Sequence, residues 1–176
     1  LNLFEPEMRT AQVSELFDDL KAGLKPLLQE IAAQPPVDDA FLVEGDYDVA
    51  RQWDFTLLLL RDIGYDFKRG RQDKAPHPFT IHFSPQDVRV TTRLYPHRPH
   101  SAVFSSVHEG GHALYEQGIP LKFEGTVLGE GATLGLHESQ SRLWENQVGR
   151  SRAFWRHYYP ILRAFFPAQL DGTGFE

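Results

Sequence analysis

Two histidines four positions apart, a glutamate directly after the first, and two glycines between them constrain this chain more than any other feature. The stretch is His108-Glu109-Gly110-Gly111-His112. On a helix, residues four apart share one face, with Cβ atoms about 5–6 Å apart. Both imidazoles can then reach one tetrahedral Zn²⁺ at about 2.0–2.1 Å. Glu109 projects about 100° round the helix from His108. From there its carboxylate can take a proton from an activated water. This is the H-E-x-x-H pattern found in zinc peptidases. Each glycine costs a helix roughly 0.8–1 kcal/mol against alanine, so the pair implies close approach of another backbone to this face. Ser105, Ser106, Val107, Ala113, Leu114 and Tyr115 continue the helical reading, and Gly118 and Pro120 end it.

A catalytic zinc usually has three protein ligands and one open position. Glu116, Glu124, Glu130, His137 and Glu138 are the downstream candidates. Glu116 shares the helix face of both histidines, but three ligands one turn apart would spread along about 12 Å of axis and could not converge on one ion. The longer H-E-x-x-H-x-x-G-x-x-H pattern fails, because Tyr115 and Gly118 stand where Gly and His are needed. A carboxylate from a second, crossing helix remains. Residues 131–144 read as that helix, with Leu136, Leu143 and Trp144 as an apolar stripe and His137, Glu138 and Gln140 interrupting it. Glu138 is the choice for third ligand and His137 the reserve.

Four stretches in order carry a resemblance: His77-Pro78-Phe79, then 87–91 (Asp-Val-Arg-Val-Thr), then the 108–112 motif, then His137-Glu138-Ser139-Gln140. Together they resemble the carboxypeptidase Taq family of metallocarboxypeptidases, marked by HPF, DxRxT, HExxH and HES/GQ motifs. The resemblance implies a zinc- or cobalt-type site with His108, His112 and Glu138 as ligands and Glu109 as catalytic base and acid. It implies a zincin-like, mainly α fold and a peptide substrate. The family's two further motifs, I/V-R-x-x-A-D and G-x-x-Q-D-x-H-W, do not occur. Residues 1–176 are therefore expected to be one internal segment of a larger catalytic domain. Apolar helix faces left uncovered in such a segment imply self-association, with a dimer as the expected state.

Elsewhere the pattern is ordinary for a globular chain. The net charge of −6 gives no expectation of a nucleic-acid face, and no apolar run reaches the roughly 20 residues of a membrane span. Cysteine is absent, so thiolate ligands and disulfides are excluded and a cytoplasmic enzyme is expected. Spacings of three and four predict helices over 9–33 and 46–63, the second capped by Gly64. Period-two alternation over 79–94 predicts an antiparallel hairpin, with Phe79, Ile81 and Phe83 in one strand and Val88 and Val90 in the other. A last helix starting near Gly149 carries Phe154, Trp155, Tyr158, Leu162 and Phe166, and Pro160 predicts a kink or break.

His77 either orients a ligand, touches substrate or satisfies a buried backbone group. Asp87 and Arg89 share a strand face and are expected to form a buried ion pair, with Arg89 as the alternative partner of a substrate carboxylate. A strand beside the metal helix can also pair with an extended peptide. His82, His97, His100 and His157 are expected at the surface or in loops. The rival readings are a zinc endopeptidase or aminopeptidase of the same ligand class, and a metal-binding segment without activity.

Overall fold

The computed structural model describes residues 1–174. The first amphipathic stretch forms helix α1 (Thr10–Ala32). None of its residues is buried: Leu16, Leu20, Leu24, Leu27, Leu28 and Ile31 stand exposed in a stripe. A short helix α2 (Ala40–Glu44) comes next, and the second stretch then forms α3 (Val49–Asp62), which begins where the Asp48 side chain accepts a hydrogen bond from the Arg51 N–H. Gly64 follows at φ +106°, a left-handed end that glycine takes without a Cβ penalty.

The sheet has three strands, β1 (Gln72–Lys74), β2 (Thr80–Ser84) and β3 (Asp87–Thr92), in the order β1-β3-β2. The antiparallel β2–β3 hairpin is present. A parallel strand, β1, is added on the other side of β3, with Gln72 opposite Val90. Three polar residues carry no strand period, so the sequence hides β1. It is placed by pairing with β3 and by the Gln72 amide donating to Thr56 Oγ1 at 2.9 Å. The hairpin also turns its faces against expectation. Ile81 and Phe83 are exposed, while Thr80 and His82 point inward beside Val90 and Val88. A period of two gives alternation but not its phase.

Helix α4 (Pro99–Gln117) carries the 108–112 motif and packs against α3, β3 and the next helix. That next helix, α5 (Leu134–Arg142), starts at Thr133, whose hydroxyl accepts from the Leu136 N–H, three residues later than the sequence suggested. It runs on as a wider π-type turn over Leu143–Val148. After Ser151 caps it, α6 (Arg152–Phe165) passes through Pro160 unbroken, and α7 (Pro167–Leu170) follows. Pro160 and Arg156 both face solvent, so water can satisfy the carbonyl that loses its partner.

Two apolar clusters lie on either side of α4. Val103 and Val107 join Phe55, Leu59, Phe154, Tyr158 and Leu162 in one, and Ala113 joins Leu60, Tyr65, Val88 and Val90 in the other. Burying each such large side chain contributes about 1.5–3 kcal/mol, so α4 is fixed by packing rather than by helix propensity. The two glycines are where it is approached most closely. A Cβ on Gly111 would lie 2.7 Å from Ser141 Cα and 2.8 Å from the Gln140 carbonyl oxygen, both backbone atoms of α5. A Cβ on Gly110 would meet only side-chain ends, Leu60 Cδ2 at 2.7 Å and Ile63 Cδ1 at 2.8 Å.

This difference sets a test of stability. Gly111→Ala is expected to lower the denaturant midpoint by the equivalent of about 1–3 kcal/mol, the usual cost of overpacking. Gly110→Ala should cost clearly less, because side-chain ends can yield and alanine favours the helix by about 1 kcal/mol. Equal midpoints for the two variants would remove the α4–α5 backbone contact from this role.

Candidate metal centre

Helix α4 presents His108 and His112 on one face, and α5 brings Glu138 across to them because Gly111 lets the two backbones touch. His112 Nε2 stands 3.2 Å and His108 Nε2 3.7 Å from Glu138 Oε2. One ligand atom from each of the three lies within 4.8 Å of the others. Two imidazole nitrogens and one carboxylate oxygen, converging without any cysteine, suit a divalent ion such as zinc. The far nitrogens are also engaged. His108 Nδ1 is 2.9 Å from Glu145 Oε2, and His112 Nδ1 is 2.6 Å from His137 Nδ1.

The electrostatics suit that donor set. Burial, with His137 and His108 adding, pushes the His112 pKa down to about 4, so its ring is neutral and keeps a lone pair at pH 7. Burial pushes Glu138 upward, but hydrogen bonds from Arg142 at 2.8 Å and Ser141 at 3.1 Å outweigh it and hold the carboxyl below its ordinary value. Glu109 differs. It is only 6% exposed, and burial raises its pKa against the opposing Thr80 hydroxyl, which donates to Oε2 at 2.7 Å, and against His108. Burial thus makes this carboxyl a stronger proton acceptor than an ordinary glutamate.

The other residues singled out from sequence fall in several places. His77 lines a cleft of ≈ 600 Å³ with His108, Glu109, Arg98, Arg142 and Arg150. His137 stands behind His112, with its Nε2 2.6 Å from Glu116 Oε1, and not among the converging donors. Asp87 and Arg89 do pair, at 2.7 and 2.8 Å, but the pair is exposed, not buried. Arg89 alternates with the buried Val88 and Val90, so it lies on the sheet's outer face, over the Phe83 ring at 5.1 Å. It does not reach the cleft. His82, expected at the surface, turns inward to 3.4 Å from Glu116 Oε1.

Three residues that touch the site were given no part in it from sequence. Thr80 holds Glu109, and nothing in a lone threonine announces it. Glu116 serves His137 rather than a metal. Glu145 does carry a signal, because it lies seven residues, or two helical turns, beyond Glu138 and so on the same face.

The chain is similar to known proteins over its whole length. The sequence model of the family described as Carboxypeptidase Taq (M32) metallopeptidase matches residues 1–176. The chain is 46% identical over 171 residues to thermostable carboxypeptidase 1 of Thermus thermophilus, covering 97% of this chain and 34% of that protein. It is 38% identical to carboxypeptidase 1 of Bacillus subtilis, covering 100% of this chain and 35% of the relative. The crystal structure of the M32 carboxypeptidase from Deinococcus radiodurans superposes with a TM-score of 0.93 at 49% identity, over 99% of this chain and 35% of that one. The chain thus spans about a third of the length of the relatives it matches. Among the described residues no helix is long and apolar enough to cross a membrane.

The depressed His112 pKa has a consequence for the metal-free protein. Below the ordinary histidine value of 6.5 the unfolded chain takes up a proton that the folded ring refuses until about pH 4. Stability present above pH 6.5 is therefore lost as the pH falls toward 4. Thermal unfolding of metal-free protein is expected to show this decline, and His112→Gln should flatten it. Parallel pH profiles for the two proteins would contradict the buried neutral imidazole.

Proposed function

The chain belongs to the carboxypeptidase Taq (M32) metallopeptidase family, and from that premise we propose that its parent protein is a metal-dependent carboxypeptidase acting on peptides. His108, His112 and Glu138 hold the ion, which we take to be zinc, with cobalt as an alternative. Such an ion supplies a Lewis acid that acidifies water and polarises the scissile carbonyl. Glu109 accepts the proton of the attacking water and delivers it to the leaving amine. Thr80 fixes the carboxylate for this, leaving Oε2 tied and the group facing the opening lined by Pro78, Phe79, His112 and His137. The observation that carries the reading is this buried Glu109 beside two imidazoles whose Nε2 atoms converge on Glu138.

Arg89 is withdrawn as the partner of the substrate's terminal carboxylate, since it lies on the outer face of the sheet. We assign that recognition, and the oxyanion donors, to parts of the longer protein outside residues 1–176. A zinc endopeptidase or aminopeptidase is the rival. A peptide with a free C-terminus should lose its last residue, while the same peptide amidated should resist. Cleavage of both at similar rates would favour the rival. We further read the protein as cytoplasmic and as a homo-oligomer, the latter supported by the exposed apolar stripe of α1.

Two variants test the role of Glu109. In the full-length protein Glu109→Gln is expected to retain the metal and lose about 10²–10⁴-fold in kcat, the usual share of a general acid–base group. Near-normal turnover would take Glu109 out of the reaction. Thr80→Val removes a hydrogen bond that stabilises the ionised carboxyl, so the Glu109 pKa should rise further. The acidic limb of the kcat/KM profile is expected to move to higher pH, and an unmoved limb would contradict the Thr80–Glu109 link.

A further inference from the structure

Both ligand histidines aim Nε2 at Glu138. A neutral imidazole carries one N–H, so each ring must keep its proton on Nδ1 to leave a lone pair on Nε2. The structure supplies a carboxylate for each, by two different routes. Behind His108 the route is direct. Glu145 Oε2 lies 2.9 Å from His108 Nδ1, and a carboxylate can only accept there. Glu145 is itself held, with Arg150 Nη2 at 2.8 Å on Oε1 and Arg142 Nη1 at 3.4 Å on Oε2.

Behind His112 the route has an extra link. Two Nδ1 atoms, of His112 and His137, face each other at 2.6 Å, so one donates and the other accepts. The far end decides which. His137 Nε2 is 2.6 Å from Oε1 of Glu116, which is 2% exposed and needs a donor there, and His82 Nδ1, at 3.4 Å from the same oxygen, stands too far to take that place. His137 therefore spends its proton on Glu116 and presents a bare Nδ1. His112 then donates from Nδ1, and its Nε2 is left with a lone pair toward Glu138, an arrangement that suits a cation held between the two. The His137 ring is kept in place by Tyr115, edge-on at 5.2 Å, and by Gly131, where a Cβ would come within 3.2 Å of His137 Cδ2.

We infer that Glu145 and Glu116 are positioning residues that set the tautomers of the two metal-binding histidines, Glu145 directly and Glu116 through His137. The inference rests on the assignment of His108 and His112 as ligands. It gives His137 a role without a bond to the ion, and it gives Glu116 one although three ligands on a single helix face could not converge.

The test uses the full protein and two readouts that do not depend on activity. Zinc affinity is measured by competition with a chromogenic chelator, and the histidine tautomers by ¹⁵N shifts of the imidazole nitrogens in metal-free Glu138→Leu protein, where that carboxylate no longer competes for a proton at Nε2. Glu116→Leu and Glu145→Leu are each expected to weaken zinc binding roughly 10–100-fold, the common effect of losing a partner behind a ligand. Glu116→Leu should also move His112 away from the pure Nδ1–H form, and Glu145→Leu should do the same to His108. Glu116→Gln and Glu145→Gln keep an acceptor oxygen, so they should hold the tautomer and recover part of the affinity. If a leucine variant fails to fold, its glutamine partner carries the test, with the tautomer retained and zinc several-fold weaker. Unchanged tautomers in the folded leucine variants overturn the inference even if affinity falls, because a merely structural role would do that. Zinc binding at wild-type strength in the leucine variants, or in the glutamine variants where those replace them, overturns it as well. A His112→Ala control separates the premise, for full zinc affinity in that variant would overturn the ligand assignment itself.

Discussion

The contact of two helix backbones at Gly111 is the constraint on which the site depends. A carboxylate must cross from α5 to the imidazoles of α4, and helices with ordinary side chains at the contact lie about 8–10 Å apart. Removing the side chain at position 111 lets Ser141 Cα and the Gln140 carbonyl sit where a Cβ would be. Glu138 is then one turn from the contact and comes within 3.2 Å of His112. The helix gives up propensity at Gly110 and Gly111 and recovers it in packing, with Val107 and Ala113 fully buried on either side. The geometry of the donors is therefore a property of the core rather than of the loops.

Around that contact the charges are arranged in layers. Glu138, Glu145 and Glu116 all lie close to imidazoles, and isolated carboxylates so placed would be costly. Arg142 answers Glu138 and Glu145, Arg150 answers Glu145, and His137 answers Glu116. Glu109 lacks such an answer. Its close partner is a hydroxyl, that of Thr80, so burial wins and its pKa rises while those of Glu138 and Glu145 fall. Glu138 and Glu145, answered by arginines, are thus held below the ordinary carboxyl value, while Glu109 in the same small region is pushed above it.

The parts of this arrangement that the sequence discloses are those with a period or a fixed spacing. The 108–112 motif announced a helix with two imidazoles on one face, and residues 131–144 announced a crossing partner. What has no period stayed hidden. Gln72 to Lys74 became a strand only because β3 was there to pair with it. The alternation over 79–83 revealed β2 but not which face turned inward, and polar Thr80 and His82 took the inner side because Glu109 and Glu116 offered them partners. Arg89 likewise lies outside, since its strand turns Val88 and Val90 inward and leaves the position between them to solvent.

Glu116 shows why spacing rules exclude better than they assign. Its rise of about 6 Å beyond His112 along the helix axis removes it from the ligand set. The same rise leaves room for one ring between it and His112, and His137 fills that room from α5 with a nitrogen toward each. A second helix was needed to complete the relation, so no pattern within α4 could have disclosed it. The HExxH motif thus specifies two imidazoles on one helix face and a carboxylate beside them, whereas the orientation of the second imidazole depends on a glutamate one turn further on and a histidine from the neighbouring helix. Orientation of that kind is written in tertiary contacts, and it becomes legible only when the crossing at Gly111 has brought the two helices together.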